Sequence, residues 1–242
     1  MIVEICVQSL DGAKMAQALG ADRLELCMGL EVGGLTPSMG LFTQVKSQTQ
    51  IPVHVLIRPR IGGFDYSPEE VNTMIHDLRL LVETGADGIV IGALNPDFTL
   101  DLKTLARLIH EAQAINPKIH ITAHRAFDWV PNPVDSAKLL SDLGGHTLLS
   151  SGQAPTAKEG FELLQSLNAK FGDQITIMPG SGINAQNRSL FAQAGFKAIH
   201  ASASAMITER TPATNVSFEE HRQKGQRREI NHEHLKNLLH PG

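Results

Sequence analysis

Eight short apolar runs of strand-like composition recur along the chain, and segments with helical spacing lie between them. Apolar residues return every three or four positions in residues 74–81 and 102–112, which predicts amphipathic helices there. The predicted strands start 21 to 35 residues apart. They are Ile2–Val7, Arg23–Cys27, Val53–Ile57, Gly88–Gly92, Ile119–Ala123, His146–Ser150, Ile175–Met178 and Ala198–Ser202.

Strands that alternate with helices predict a parallel sheet with crossover helices. Eight such units in 242 residues match the size of an α/β TIM (β/α)8 barrel. An open doubly wound sheet is the alternative, because alternation does not prove closure. No linker divides the sequence, so we expect one domain over residues 1–242, with residues 205–242 forming the last helix and a polar tail.

Side chains of a strand point alternately to its two faces. In the first strand Val3, Ile5 and Val7 alternate with Glu4 and Cys6, and we expect the all-apolar set to face the helices. The same parity in other strands turns a polar set into the barrel. That set is Glu4, Cys6, Glu25, Cys27, His54, Arg58, His120, Thr122, His124, His200 and Ser202.

This predicted interior is more polar than the aliphatic core of an ordinary barrel. Buried carboxylates need partners, and Arg58, Arg60, His124 and Arg125 stand at or just past strand ends. Barrel enzymes keep their sites at those ends. We therefore expect an open pocket at the mouth formed by the C-terminal strand ends, with a structural ion-pair network as the alternative.

Three loops carry candidate chemistry: residues 58–60 after the third strand, residues 124–128 after the fifth and residues 180–184 after the seventh. In the first loop, Arg58 and Arg60 place two cations on a stiff turn, which suits a carboxylate or phosphate. Arg125 in the second loop adds a third cation. Asp128 is predicted either to orient a neighbouring His or Arg or to cap a helix. The candidate acid–base residues are Glu4, Glu25, His124 and Asp128, and the candidate anion-binding residues are Arg58, Arg60, Arg125, Gly180, Ser181, Gly182, His200 and Ser202.

Composition narrows the function classes. Lys and Arg number 21 against 25 Asp and Glu, which does not suit a nucleic-acid binder. The apolar run after Met1 is too short for a signal peptide, and no stretch is long enough for a membrane helix. We therefore expect a cytoplasmic protein, whose thiols stay reduced.

The two cysteines, Cys6 and Cys27, are predicted on adjacent strands with the same parity. Two thiolates that close could hold a soft ion such as Cu(I). The alternative is that both are small apolar core residues. The pair His232 and His234 could also chelate a metal, on weaker grounds.

Taken together, these motifs resemble the copper homeostasis protein family CutC. The resemblance implies a cytosolic TIM-barrel protein linked to copper tolerance and trafficking, with Cys6 and Cys27 as its copper ligands. It covers residues 4 to about 204. It rests on Glu4-Ile5-Cys6-Val7, Gly20-Ala21-Asp22-Arg23-Leu24-Glu25-Leu26-Cys27, Gly33-Gly34-Leu35-Thr36-Pro37-Ser38, Ile57-Arg58-Pro59-Arg60, Asp65-Tyr66, His124-Arg125-Ala126-Phe127-Asp128, Ser151-Gly152, Pro179-Gly180-Ser181-Gly182-Ile183-Asn184 and His200-Ala201-Ser202.

Two hypotheses remain open from the sequence. The first is a copper-binding homeostasis protein that uses Cys6 and Cys27. The second is an enzyme that acts on a small anionic, phosphorylated or carboxylated metabolite, with arginines to clamp the anion and Glu25, Glu4 or His124 for acid–base chemistry. We expect no nucleic-acid or membrane partner, and a homodimer would be the commonest assembly.

Overall fold

Parallel strands and helices alternate through the computed structural model, which describes residues 1–208 and 226–240. The barrel strands are β1 Ile2–Val7, β2 Arg23–Leu26, β3 Val53–Leu56, β4 Gly88–Ile91, β5 His120–Ala123, β6 Thr147–Ser150, β7 Thr176–Pro179 and β8 Ala198–Ala201. The helices are α1 Leu10–Ala18, α2 Met39–Gln48, α3 Pro68–Glu83, α4 Leu102–Ile115, α5 Pro133–Asp142, α6 Phe161–Phe171, α7 Arg188–Gln193 and α8 His232–Leu239. Short 3-10 helices span Leu30–Val32 and Arg125–Trp129.

The eight strands follow one another around a nearly closed barrel. Their order is β7-β6-β5-β4-β3-β2-β1-β8, so each neighbour in the sheet is a neighbour in sequence except where β8 returns to β1. All of these pairings are parallel. The predicted TIM-barrel fold is therefore confirmed, and the open doubly wound alternative is wrong.

Local sequence fixes where the helices begin. Ser67 and Glu70 form a reciprocal capping box at the start of α3, and Pro68 occupies the first turn, where its missing N–H costs nothing. Asp101 caps α4 through its side chain. These caps satisfy backbone N–H groups that would otherwise lack partners.

The aliphatic core lies between the strands and the helices. Val3, Ile5 and Leu24 belong to this core and are buried, as the strand parity predicts. Cys6 and Cys27 belong to a separate small cluster with Leu56 and Val90, on the opposite face of the strands. The barrel interior is thus distinct from the apolar layer outside it.

Beyond β8 the chain forms an antiparallel pair that the sequence pattern did not predict. Strand β9, Ser204–Thr208, pairs with β10, Gln226–Ile230. Helix α8 follows and buries Leu235, Leu238 and Leu239 against the barrel. Within residues 1–208 and 226–240, no helix is long and apolar enough to cross a membrane.

Candidate functional site

A buried ionic layer crosses the middle of the barrel, and we call Glu4, Arg23, His54 and His200 the axial layer. Glu4 is fully buried. Its carboxylate accepts hydrogen bonds from Arg23 Nε at 2.6 Å and from His200 Nδ1 at 2.8 Å. These pairings are set by register, because Glu4 lies opposite Arg23 in β2 and opposite His200 in β8.

The electrostatics of the axial layer keep Glu4 charged. Burial alone would raise its pKa, but the His200 hydrogen bond and the charge of Arg23 lower the pKa of Glu4 to about 2. The second carboxylate nearby behaves in the opposite way. Burial, together with the charge of Glu4, raises the pKa of Glu25.

From His54 of the axial layer, a stack of imidazole rings continues toward the N-terminal ends of the strands. The rings of His54 and His120 stack at 4.7 Å between centroids, and His120 and His146 follow at 4.8 Å. Burial lowers the pKa of His54 to about 3 and that of His120 to about 4. These two rings are therefore neutral at physiological pH, which avoids cations stacked beside Arg23.

Above the axial layer, Cys6, Glu25 and Cys27 form what we call the mouth floor. The Sγ atoms of Cys6 and Cys27 lie 3.4 Å apart. The Cys6 thiol also donates to Glu25 Oε1 at 3.7 Å. One ligand atom from each of the three residues lies within 4.8 Å of the other two, and this spacing is compact enough to hold one metal ion.

The protonation state of the thiol pair follows from this packing. The hydrogen bond to Cys27, burial and the nearby carboxylates raise the pKa of Cys6 well above its usual value. A metal ion bound there must therefore displace protons. Glu25 Oε2 has no hydrogen-bond partner and lies 3.8 Å from His200 Nδ1.

The mouth floor opens into a cavity of about 650 Å³, which we call the mouth cavity. Its volume suits a small molecule. Loops after several strands and the C-terminal segment supply its walls. The polar and thiol side chains and the loop residues that line it include Cys6, Glu25, Cys27, Arg58, His124, Arg125, Ser181, Gly182, His200, Ser202, Arg228, His234 and Asn237.

His124 reaches the mouth cavity because β4 leaves room for it. A Cβ on Gly92 would lie 2.3 Å from the His124 ring. The Ala126 N–H donates to His124 Nδ1 at 3.0 Å, so the neutral ring carries its proton on Nε2, which has no partner. Burial and the charge of Arg58 lower the pKa of His124 to about 3, so it is a neutral donor at physiological pH.

Two predicted anion-clamp arginines are engaged elsewhere. Arg58 lines the cavity, but its guanidinium donates to the carbonyls of Val32, Gly34 and Gly62. Arg60 does not line the cavity, because it pairs with Glu70 and donates to loop carbonyls. The expectation that both clamp one anion is corrected: the turn uses them to fold itself and the neighbouring loop.

Asp128 organises a loop and does not line the mouth cavity. It accepts from Arg125 Nε at 2.8 Å, from Ser150 Oγ at 2.5 Å and from the Ser151 backbone N–H. Asp128 therefore orients a neighbouring arginine, which is one of the two roles predicted for it. The helix-cap alternative is wrong, since His124 is the capping residue there.

The loop after β7 forms one wall of the cavity. Ser181 and Gly182 line it with left-handed backbone angles of φ 80° and 70°. Gly180 does not line the cavity, and a Cβ there would meet Leu149 at 2.4 Å. After β8, Ser202 lines the cavity and hydrogen-bonds to Ser204 at 2.9 Å.

Two groups of residues in this region are not predicted from the sequence. Arg23 is one, because its pairing with Glu4 depends on strand register. Arg228 and Asn237 are the other, and they line the mouth cavity from the C-terminal segment. The signal available was the polarity of that segment, which by itself fits any solvated tail.

Comparisons with known proteins agree with this architecture. The sequence model of the CutC family matches residues 1–205. The chain is 42% identical to family protein CutC of Pasteurella multocida over 203 residues, which cover 84% of this chain and 82% of the relative. It is 40% identical to family protein CutC of Salmonella enteritidis, over 85% of this chain and 81% of the relative.

A solved structure shows the same fold. The crystal structure of the copper homeostasis protein CutC from Streptococcus agalactiae superposes with a TM-score of 0.78 at 29% identity. The match covers 84% of this chain and 98% of that chain. The likeness therefore extends over the barrel that carries the axial layer and the mouth floor.

Proposed function

The chain belongs to the CutC family, and we propose that it acts in copper homeostasis by holding one Cu(I) ion between Cys6 and Cys27. The observation that carries this proposal is the distance of 3.4 Å between the two sulfurs at the base of an open cavity. Thiolate is a ligand type that selects Cu(I). The copper homeostasis name of the Streptococcus agalactiae protein supports the same role.

Loading the ion requires both thiols to lose their protons. Because the pKa of Cys6 is raised, the affinity for Cu(I) should increase with pH. Glu25 already accepts the Cys6 S–H and stands within reach of a bound ion. It is therefore the group placed to take up a released proton or to contribute a third ligand.

An anaerobic competition titration against a chromophoric Cu(I) chelator tests this proposal. We expect one equivalent of Cu(I) to bind the wild type and no equivalent to bind the Cys6→Ser/Cys27→Ser variant. Met206→Leu is the matched control, because it removes an exposed soft side chain away from the floor and should bind normally. Thermal unfolding verifies that each variant is folded. Unchanged affinity in the folded double variant would remove the proposal.

A second candidate function is an enzyme that acts on a small anionic metabolite. It is favoured by the mouth cavity of about 650 Å³ with Glu25 in its floor. Burial raises the pKa of Glu25, which favours a protonated carboxyl that can act as a general acid. His200 lies beside Glu25, and Glu4 fixes its ring. The reaction class stays open between isomerisation, lyase and hydrolytic chemistry.

Native mass spectrometry of protein purified directly from cells tests the second candidate. The expected result is a retained molecule below about 1,000 Å³ in volume, lost in a Leu149→Trp variant that fills the base of the cavity. Leu139→Trp, on the exposed face of α5, is the control. A wild-type spectrum without any retained molecule, together with no anion binding in solution, would count against this candidate.

Three further predictions accompany the proposal. We expect a cytoplasmic protein that keeps both cysteines reduced, which alkylation of thiols in freshly lysed cells measures. We expect residues 1–242 to unfold as one domain in a single transition. We expect a homodimer, which light scattering distinguishes from a monomer.

A further inference from the structure

The C-terminal segment forms a wall of the mouth cavity. Strand β10 contributes Arg228, and helix α8 contributes His234, Asn237 and Leu238. The three α8 residues lie three and four positions apart, so they share one face of the helix. That face closes the side of the mouth where β1 and β8 meet.

The wall is anchored by buried leucines and by hydrogen bonds to the barrel. The opposite face of α8 buries Leu235 and Leu239, and Arg188 donates to the carbonyls of Leu238 and Leu239. Further anchors are Gln8 Nε2 to the Arg228 carbonyl at 2.6 Å, Ser9 Oγ to Glu229 at 3.2 Å and the Asn231 N–H to the Ala203 carbonyl at 2.9 Å. These contacts hold the segment on the barrel.

The charge around the mouth cavity is unbalanced toward positive. Among the described residues, its lining holds Arg58, Arg125 and Arg228 and one carboxylate, Glu25. A cleft lined with one sign of charge concentrates molecules of the opposite sign.

Within the described residues, the Arg228 guanidinium makes fewer hydrogen bonds than those of Arg58 and Arg125. Arg125 pairs with Asp128, and Arg58 is held by loop carbonyls. The Arg228 guanidinium donates to Ser204 Oγ at 3.3 Å and has no carboxylate partner in the described part of the chain. It is exposed and lines the mouth cavity, so it is accessible to an anion.

We propose that Arg228, with His234 and Asn237, forms the anion-binding wall of the mouth cavity and selects small ligands that carry a phosphate or carboxylate group. This inference rests on the second candidate function and names its specificity-determining residues. The wall lies beyond residue 205, where the family match ends. The ligand's anionic end lies at this wall, and its other end points to Glu25 and His200.

Calorimetric titration of the full-length protein with inorganic phosphate, and separately with acetate, tests the proposal at constant ionic strength. We expect saturable one-to-one binding of at least one of the two anions, and the stronger one identifies the anion class. Arg228→Gln should weaken that binding about tenfold, as expected for the loss of one charge-assisted hydrogen bond. Arg107→Gln, an exposed arginine on α4, should not change it.

A second matched pair separates the α8 face from general effects of the tail. His234→Ala should weaken binding, and His232→Ala, two residues earlier and outside the cavity lining, should leave it unchanged. Binding that is insensitive to Arg228→Gln and His234→Ala but lost in Arg125→Gln would overturn the inference and leave the second candidate function standing. No binding of either anion to the wild type would overturn both. Cu(I) binding at the cysteines is measured independently of either result.

Discussion

The axial layer and the mouth floor are two neighbouring regions of one barrel interior, and each contains a glutamate. In the axial layer, Glu4 has a cation on one side and an imidazole on the other, and its pKa falls to about 2. In the mouth floor, Glu25 meets a thiol and leaves one oxygen without a hydrogen bond, and its pKa rises. The two glutamates therefore differ in role: both carboxylate oxygens of Glu4 have hydrogen-bond partners inside the barrel, whereas Glu25 keeps one oxygen without a partner beside the mouth cavity.

The largest expected effect is on the axial layer. Glu4→Gln leaves the Arg23 charge buried without a carboxylate, which should cost about 3–5 kcal/mol of unfolding free energy. Urea unfolding measures it. Asp142→Asn breaks the exposed pair with Lys138 and serves as the control, with an expected loss below about 1 kcal/mol. Equal losses in the two variants would show that the buried Glu4–Arg23 pair stabilises the fold no more than a surface pair does.

A smaller effect is expected where β4 makes room for an imidazole at the mouth. Gly92→Ala places a Cβ 2.3 Å from the His124 ring, so the ring must shift, at a cost of about 1–3 kcal/mol. Gly40→Ala in α2 meets nothing closer than 3.9 Å and should be neutral or stabilise by up to about 1 kcal/mol. Thermal unfolding of both variants checks this, and a neutral Gly92→Ala would show that the mouth is loosely packed.

The pH dependence of stability should have opposite signs in the two regions. Ionised Glu4 stabilises the fold above its unfolded pKa, and this contribution is lost as the pH falls toward 2. Glu25 has a raised pKa, so its protonated form is favoured by folding and wild-type stability declines as the pH rises through that pKa. Glu25→Gln should therefore gain stability relative to wild type between one pH below and one pH above the ordinary glutamate pKa of 4.5, because the pKa of Glu25 is shifted upward. A gain of the same size at both pH values would contradict the assignment.

The smallest effect is expected at Arg60. Its guanidinium pairs with Glu70 at the surface and lies outside the mouth cavity. Arg60→Gln should cost less than about 1 kcal/mol and leave anion and Cu(I) binding unchanged. Loss of anion binding in this variant, measured in the same phosphate and acetate titrations, would return Arg60 to the site from which its contacts exclude it.

Sequence periodicity predicted the barrel because its signals are local. Strand parity placed Glu4, Cys6, Glu25 and Cys27 inside, since a period of two needs no knowledge of neighbours. It could not predict how the polar groups pair. Predicting the Glu4–Arg23 hydrogen bond requires the register of β1 against β2. Predicting that Arg58 donates to the carbonyls of Val32 and Gly62 requires the conformation of the two loops that carry them.

The C-terminal segment was unpredictable for a different reason. Its β9 and β10 strands pair with each other although they are not adjacent in sequence. Pairing between separate segments leaves little trace in local composition. The buried face of α8 was readable from Leu235, Leu238 and Leu239. That His234 and Asn237 line the mouth cavity depends on how the helix docks, which no periodicity reports.

X-ray absorption at the copper edge tests most directly whether the two sulfurs of the mouth floor bind Cu(I). The wild type loaded with one equivalent of Cu(I) should show a first shell dominated by two sulfur ligands, from Cys6 and Cys27. The axial layer should contribute no ligand, because Arg23 and His200 already occupy Glu4. A first shell of nitrogen and oxygen alone, or the same sulfur signal in the Cys6→Ser/Cys27→Ser variant, would contradict the account.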